Sequence, residues 1–346
     1  MDEGQLMVLA EERILNEVKS KRTSNKNVAI ERLILVDNAF FRLEKEFNDF
    51  SLPEAQNKII ALMHFLTYAV EIAEKNGLVK EDIRSKLFNA WRIHGYSSFV
   101  KHIQIWPRGY PGDFEVVNMI ADRNEKSAEN TLGGVIGRYA LNNIVAQQHR
   151  EKLKIQAELV REVCQKFKAP NVISIASGSS RDLEEVQYEL KESNAKVLLI
   201  DFDKDALEES KRRLSDISSQ VDTFLTDVRR LPQFFKGLNE RGRQFHLVYA
   251  GGLFDYLPDG IIKIILKNLS DRFMHEDGIL MFTNIAKGNP YRAWIETMGN
   301  WKLIERSKEE MNQLLLNVCS KEQSLKLDPT GLTWIVRVHL DRIKLL

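Results

Sequence analysis

The sequence predicts an α/β fold in which a seven-stranded, mostly parallel Rossmann-like sheet follows a helical N-terminal domain. Two observations predict this fold. Residues 1–167 carry apolar residues at helical spacing, with almost no strand-like alternation, whereas short apolar runs alternate with amphipathic segments after Pro170. Such alternation is typical of parallel strands connected by helices that cover both faces of a sheet. We therefore expect a helical lid or substrate domain at 1–167 and a sheet domain at 168–346.

The helical region contains several long periodic segments and one irregular segment. Helical spacing of apolar residues is found in Leu6–Val18, Ala29–Phe47, Ala55–Lys75 and Ile144–Phe167. Ser51 followed by Pro53 predicts a helix start, since serine caps orphan N–H groups and proline fits the first turn. The irregular segment, Trp106–Glu115, holds two prolines and two glycines, which predicts a shaped loop between helices.

Seven apolar runs of strand length follow, the last two close together in the chain. The predicted strands are Val172–Ala176, Lys196–Ile200, Val221–Leu225, Phe245–Ala250, Gly278–Asn284, Trp301–Arg306 and Thr333–Leu340. The carboxyl ends of parallel strands meet at one edge of a sheet, where open α/β sheets bind ligands. The residues that follow each run are therefore the candidates for a site.

The most informative of these turns, Ala176–Ser180, follows the first predicted strand. Its small residues allow backbone N–H groups to approach a ligand closely, so Ala176, Ser177 and Gly178 are predicted to bind the cofactor. Only Gly178 is a glycine, whereas a dinucleotide pyrophosphate requires three. A ligand with a ribose and no phosphates fits better, and S-adenosylmethionine (SAM) is the commonest one. Asp182 either favours the positive end of the next helix or lies near the amino group of the ligand.

An acid at the tip of the second strand supports a nucleoside ligand. Asp201 follows Gly178 by 23 residues and directly follows the apolar run Val197–Ile200. This spacing is that of a carboxylate that accepts hydrogen bonds from ribose hydroxyls, so we assign the ribose to Asp201 and place Phe202 in the same site. The alternative for Asp201 is a helix cap, a role that Asp203 suits better.

The ends of the third and fourth strands add further candidates. We predict that Asp227 accepts a hydrogen bond from the adenine amino group and that Val228 packs on the ring; the alternative is an ordinary turn. Ala250 and Gly251 end the fourth strand and allow the reacting groups to approach the backbone.

Four polar or aromatic residues are candidates for contact with the reacting groups. Asp255 and Tyr256 follow the fourth strand, and we predict that Asp255 is catalytic and that Tyr256 contacts the substrate. The alternative is that Asp255 is an ordinary loop residue and Tyr256 a packed aromatic ring. The loop Arg108–Asp113 is a candidate lid, with Arg108 on the cofactor and Tyr110 and Asp113 at the reacting centre. The alternative is a structural turn.

One pair in the last helix of the N-terminal region remains ambiguous. His149 and Arg150 are adjacent, and either they belong to a solvated helix face or they contact the substrate.

Composition excludes several classes of protein. The chain of 346 residues has a formal net charge of +1, which gives no basis for nucleic-acid binding. Cys164 and Cys319 are far apart and near no histidine cluster, so we expect free thiols, no metal site and a reducing, cytoplasmic location. No apolar stretch approaches the roughly 18 residues of a membrane span. The oligomeric state stays open, with a homodimer among the options.

These motifs together resemble a known family. The order small-residue turn, Leu199-Ile-Asp-x-Asp203, Thr226-Asp-Val228 and Gly252-Leu-Phe-Asp-Tyr-Leu257 resembles class I SAM-dependent methyltransferases, with Ala176 and Ser179 where glycines are usual. Arg108-Gly-Tyr-Pro-Gly-Asp113, Gly252–Leu257 and Asn300-Trp-Lys-Leu-Ile-Glu-Arg306 are similar to the bacterial extracellular-factor (3-hydroxypalmitic acid methyl ester) biosynthesis methyltransferases.

The resemblance implies SAM as cofactor and methyl transfer to a small molecule. It also implies that the acceptor is the carboxylate of a hydroxy fatty acid, which would need no general base. Three alternatives remain: an N- or O-methyltransferase of specialised metabolism, a SAM-binding sensor without turnover, and a nicotinamide oxidoreductase. The single glycine of the first turn disfavours the last of these.

Overall fold

The computed structural model describes residues 26–231, 244–316, 318 and 320–340. The predicted helix Leu6–Val18 and Cys319 lie outside the described residues. Within the described part of the chain, no helix is both long and apolar enough to cross a lipid bilayer.

The N-terminal region is helical, as predicted. Its helices are α1 Lys26–Glu46, α2 Leu52–Lys75, α3 Lys80–Lys86, α4 Phe88–His94, α5 Ser98–Ile105, α6 Phe114–Asp122, α7 Leu132–Asn142 and α8 Ile144–Lys166. Helix α2 begins where the sequence predicts, because the Ser51 N–H donates to the Glu54 carboxylate at 2.8 Å and Pro53 occupies the first turn. The irregular loop lies between α5 and α6.

The rest of the chain forms a seven-stranded sheet, which confirms the predicted fold class. The strands are β1 Asn171–Ile175, β2 Lys196–Asp201, β3 Val221–Leu225, β4 Phe245–Ala250, β5 Met274–Ile285, β6 Glu322–Leu327 and β7 Thr333–His339. Their order is β3-β2-β1-β4-β5-β7-β6. The first five strands run parallel, and β7 is antiparallel to both β5 and β6.

One predicted strand was wrong. In Trp301–Arg306 a single residue, Arg306, bridges to Ala286, and the sixth strand is instead Glu322–Leu327. The segment crosses the strand ends, where the Ile304 N–H donates to the Asp255 carbonyl at 2.7 Å. Its apolar alternation therefore reflects packing across the tips of the sheet, while the true edge strand is polar and exposed and gives no such signal.

Helices cover both faces of the sheet. The helices of the sheet region are α9 Arg181–Glu184, α10 Gln187–Glu192, α11 Lys204–Arg213, α12 Asp259–Arg272, α13 Arg292–Met298 and α14 Lys308–Leu315. The second half of α8 packs with α9 and α10 on one face, and α12 and α14 cover the other. Helix α13 instead joins the core of the N-terminal helices through Trp294, Ile295 and Met298. Residues of the predicted N-terminal domain and of the predicted sheet domain are therefore buried in the same hydrophobic cores.

Candidate active site

A cavity of about 390 Å³ lies at the carboxyl ends of β1 to β4. Loops of the sheet form its floor, and the Tyr110 loop, α6 and α8 form its roof. Its lining comprises Tyr110–Gly112, Phe114, Val117, His149, Lys152, Leu153, Gln156, 174–182, 200–202, 226–228, 251–253, 255–257, Trp301 and Leu303. The cavity thus brings together most of the residues that the sequence predicts for the site.

The loop after β1 has an unusual backbone. Ala176, Gly178 and Ser180 have φ of 53°, 54° and 54°, so the left-handed conformation recurs at every second residue. The Ser210 hydroxyl donates to the Gly178 carbonyl at 2.8 Å and accepts from the Ser180 hydroxyl at 3.0 Å. The loop has the backbone of a G-x-G-x-G turn with a glycine only at its centre. Ala176 and Ser180 therefore occupy the two outer glycine positions of this turn. The sequence predicts the second of them at Ser179, one residue earlier.

Asp201 lies at the centre of this floor. Its side chain is buried, and its two oxygens accept hydrogen bonds from the Gly178 N–H and the Asp203 N–H, each at 2.9 Å. Burial raises the pKa of the carboxyl above its ordinary value. A carboxylate fixed in this way at the tip of β2 is positioned to accept hydrogen bonds from hydroxyl groups.

The loop between α5 and α6 is held to the sheet by Asp203. Arg108 donates from Nε and Nη2 to the Asp203 carboxylate at 2.6 and 2.7 Å, and from Nη2 to Asp205 at 2.6 Å. The Tyr110 hydroxyl donates to Asp203 at 2.8 Å, and the Tyr110 ring packs edge-on against Phe202 with centroids 4.6 Å apart. Burial acts to raise the pKa of Asp203, but the hydrogen bonds from Arg108 and Tyr110 hold it below its ordinary value. Tyr110 and Phe202 thus line the cavity. Arg108 instead binds the carboxylates of Asp203 and Asp205 after β2 and does not line the cavity.

The ends of β3 and β4 complete the floor. Asp227 and Val228 line the cavity beside Thr226, as the sequence predicts. Gly251 also lines it, but Ala250 is buried in the core on one face of the sheet. A β-carbon on Gly251 would lie 2.0 Å from Gln156 Oε1, so glycine allows the end of the Gln156 side chain to lie against the tip of β4.

Helix α8 contributes three buried polar residues that sequence reasoning largely missed. His149, Lys152 and Gln156 are 8, 8 and 6% exposed and line the cavity. Their spacing of three and four residues was the available signal, since it places them on one helix face. His149 is therefore not on a solvated face. Burial, together with the charges of Lys152 and Arg150, places the pKa of His149 well below its ordinary value, and burial lowers the pKa of Lys152.

The wall opposite β1 combines a carboxylate with aromatic rings. Asp255 is buried and accepts a hydrogen bond from the Ile285 N–H at 2.6 Å, and burial raises its pKa. Trp301 stacks on His149 with centroids 5.4 Å apart and donates from Nε1 to the Tyr256 hydroxyl at 2.7 Å. Asp255 and Tyr256 therefore both line the cavity, and Trp301 joins them although the sequence indicated no role for it.

Two predicted residues have structural contacts away from the cavity. The Asp113 carboxylate caps α6, accepting from the Val116 N–H at 2.9 Å, and lies 2.9 Å from His102 Nε2. Arg150 donates to the carbonyls of Ile120 and Leu141 at 3.2 and 2.9 Å. These contacts differ from the expected roles at the reacting centre and at the substrate.

The donors and acceptors of the floor fit a nucleoside with a charged tail. Asp201 can accept from ribose hydroxyls, and Asp227 and Val228 can bound a base. Gln156 Oε1 and Ser177 Oγ are buried and have no hydrogen-bond partner among the described residues. The described part of the chain contains no group of three or more metal-ligating side chains.

Comparisons with known proteins describe the fold. No protein-family model matches the chain, and no curated protein matches it. A possible exported protein from Bordetella parapertussis has a similar solved structure at 12% identity, with a TM-score of 0.58 over 85% of this chain and 98% of that one.

Two further solved structures are named as methyltransferases. Magnesium protoporphyrin IX methyltransferase from Synechocystis with bound SAH is 11% identical, covering 57% of this chain and 88% of its own, with a TM-score of 0.42. A SAM-dependent methyltransferase from Clostridium acetobutylicum is 13% identical, covering 55% and 92%, with a TM-score of 0.40. The sheet order and its single reversed strand are those of the class I methyltransferase fold.

Proposed function

We propose that this protein is a SAM-dependent methyltransferase acting on a small molecule. One observation carries the proposal: a single cavity joins the buried Asp201 and the left-handed loop of β1 to the buried polar face of α8. The first part fits a nucleoside, and the second offers a separate polar centre for another group. The cover of the Tyr110 loop and α8 over the strand ends suits a reaction that requires alignment and exclusion of water.

Each part of the floor has a role in this proposal. Asp201 would hold the ribose, Asp227 and Val228 would bound the adenine, and the Ala176–Ser180 loop would face the amino-acid end. Bound SAM supplies an electrophilic methyl group on a sulfonium. Gly251 leaves room for the Gln156 side chain at the tip of β4, and the Tyr110 loop covers the site from the helical side. Alignment of two reactants in this way can supply much of the rate without a strong base.

The acceptor that the second part of the cavity fits best is an amphiphilic carboxylate. Lys152 is a buried basic residue on the cavity wall, 3.4 Å from His149 Nδ1. Burial lowers its pKa, and the charge of Asp255, one oxygen of which accepts from the Ile285 N–H, opposes this and favours the ammonium form. An acceptor carboxylate would compensate this buried charge. The neighbouring lining of Phe114, Leu153, Leu253, Trp301 and Leu303 is apolar and suits an alkyl chain. The carboxylate of a hydroxy fatty acid combines both features, and its methylation releases no proton.

Calorimetric titration with S-adenosylhomocysteine (SAH) tests the cofactor. A hydrogen bond to a charged group in a dry site is worth about 1.5–3 kcal/mol, so Asp201→Ala should weaken SAH binding by about 10- to 150-fold. Asp222→Ala, on the exposed face of β3, is the matched control and should bind normally. Unchanged affinity in a folded Asp201→Ala protein, or tight binding of NAD by the wild type, would contradict the proposal.

Transfer of labelled methyl from SAM tests the acceptor. 3-Hydroxypalmitate should be methylated, and hexadecylamine, which carries a cation instead, should not be. Lys152→Met should raise the KM for 3-hydroxypalmitate about tenfold or more and leave SAH affinity within about threefold. A loss of SAH affinity instead would assign Lys152 to the cofactor and remove the support for a carboxylate acceptor.

A further inference from the structure

Gln156 has one buried oxygen to which no residue in the described part of the chain donates a hydrogen bond. The side chain is 6% exposed, and its Oε1 accepts no hydrogen bond from any described residue. This oxygen lies directly over the tip of β4, 2.0 Å from where a β-carbon on Gly251 would be. Because leaving a buried acceptor unsatisfied destabilises the fold, its retention on a cavity wall indicates a ligand that donates a hydrogen bond there.

Asp182 determines which end of the Gln156 amide faces the tip of β4. Gln156 Nε2 donates to Asp182 Oδ2 at 2.9 Å, and Asp182 is itself buried. An ionised carboxylate accepts but cannot donate, so the NH₂ group must face Asp182 and Oε1 must face the tip of β4. Burial raises the pKa of Asp182, whereas hydrogen bonds from Tyr249 and Gln156 oppose that rise and favour the carboxylate. In its carboxylate form, Asp182 makes this corner of the cavity negative.

The corner is therefore built for a cation that donates hydrogen bonds. The Ser177 hydroxyl, also without a partner among the residues described, lies on the same cavity wall. Lys152, one turn earlier on α8, places a basic group at the other end of the polar face. A ligand with a primary ammonium group would satisfy the Gln156 oxygen and compensate the charge of Asp182, whereas a neutral or anionic group would not.

We propose that Gln156 accepts a hydrogen bond from the ammonium group of the methionine part of the cofactor, and that Asp182 is a positioning residue that orients the amide. This inference rests on the proposed function. It assigns recognition of the amino group to a side chain of the helical region. Helix α8 then contributes to cofactor binding as well as to the acceptor pocket.

The test compares SAH with 5′-S-(3-carboxypropyl)-5′-thioadenosine, which lacks only the amino group, by calorimetry on the full-length protein. The wild type should bind SAH about tenfold or more tightly than the analogue. Gln156→Met should reduce SAH affinity to that of the analogue and leave analogue affinity unchanged. Asp182→Asn should reduce the preference for SAH several-fold. Gln148→Met is the matched control, because Gln148 is also buried on α8 with an unpartnered Oε1 but does not line the cavity.

The outcomes separate this inference from the proposed function. If the wild type binds neither compound, the proposed function fails and this inference fails with it. If the wild type binds both equally, or if Gln156→Met keeps the preference for SAH, the cofactor assignment stands and the role of Gln156 is overturned. Equal weakening of both compounds by Gln156→Met would show a structural role only.

Discussion

At the scale of single residues, the loop after β1 shows a backbone conformation maintained against side-chain preference. Ala176 and Ser180 adopt φ near +54°, where a β-carbon meets the following carbonyl at a cost of about 1–2 kcal/mol per residue. Two hydrogen bonds made by Ser210 hold the loop in place. The geometry of the loop after β1 is thus supported by its neighbours as well as by its only glycine.

Substitution by glycine should relieve this strain. Ala176→Gly is expected to raise the free energy of unfolding by about 0.5–1 kcal/mol, because relief of the left-handed strain exceeds the added entropy of the unfolded chain. Ala176→Val should lower it, since a β-branched residue resists this conformation more strongly. Denaturant unfolding measures both changes.

The control for this substitution lies in a regular helix. Ala39→Gly in α1, where φ is helical, should cost about 1 kcal/mol. Destabilisation by Ala176→Gly of the same size as at Ala39 would show that the loop is not strained.

At the scale of elements, Tyr110 and Asp113 in the loop between α5 and α6 have different roles. Tyr110 binds Asp203 and faces the cavity, whereas Asp113 caps α6 beside His102. The sequence could not distinguish these tasks, because the partners of both residues are determined by packing.

Two variants of this loop should therefore have different effects. Tyr110→Phe should lower turnover about tenfold, equivalent to about 1.4 kcal/mol, by weakening attachment of the loop to Asp203, with little change in melting temperature. Asp113→Ala should lower stability by about 1 kcal/mol through loss of the cap on α6. The assays are methyl transfer and thermal unfolding, with Tyr188→Phe on an exposed ring as control. A wild-type rate in Tyr110→Phe would make the loop a structural turn.

A buried histidine joins two helices of the N-terminal core. Trp294 Nε1 donates to His94 Nε2 at 3.1 Å, so Nε2 must be unprotonated, and Nδ1 then donates to the Ala90 carbonyl at 2.6 Å. His94 is thus held neutral, and burial lowers its pKa from 6.5 to about 4.

This contact should make stability depend on pH. The unfolded chain binds a proton at His94 below pH 6.5 while the folded chain does not, so stability falls as the pH drops. The expected loss is about 2 kcal/mol between pH 7 and pH 5, above the range where most carboxylates titrate. Denaturant unfolding at both pH values, with His94→Asn as the reference, measures it. An equal slope in both proteins would contradict the assignment.

At the scale of the whole molecule, the helical region and the sheet share their cores. Ala157, Val160 and Val163 of α8 pack on one face of the sheet, although they lie within the predicted N-terminal domain. Trp294 and Met298, from the predicted sheet domain, are buried among the N-terminal helices. The boundary predicted at residue 167 therefore remains a prediction about the functions of the two regions. Both hydrophobic cores contain residues from each side of it.

Truncation tests this shared packing. A 171–346 fragment loses α8 and exposes both apolar surfaces, so it should aggregate or unfold without a cooperative transition. A 144–346 fragment keeps α8 and should retain more structure and some SAH binding. Size-exclusion chromatography and circular dichroism measure these properties. A monomeric 171–346 fragment with wild-type SAH affinity would show that the sheet region is independent.

The sequence by itself determined where the first five strands lie along the chain and which residues follow them. Asp201, Gly178, Asp227 and Gly251 could be predicted because the alternation of short apolar runs is local, and because parallel strands place their ends at one edge. Helix starts such as Ser51 were equally local.

Only the tertiary structure decided which side chains complete the site. His149, Lys152 and Gln156 reach the cavity because α8 crosses over the strand tips, a placement that no local pattern encodes. Packing likewise explains why Trp301–Arg306, which has a strand-like sequence, crosses the ends of the sheet strands. It also determines that Asp113 caps α6 and that Arg150 donates to the carbonyl of Leu141. The physical reason is that burial and hydrogen-bond partners depend on residues far apart in the chain, whereas periodicity and capping depend on neighbours.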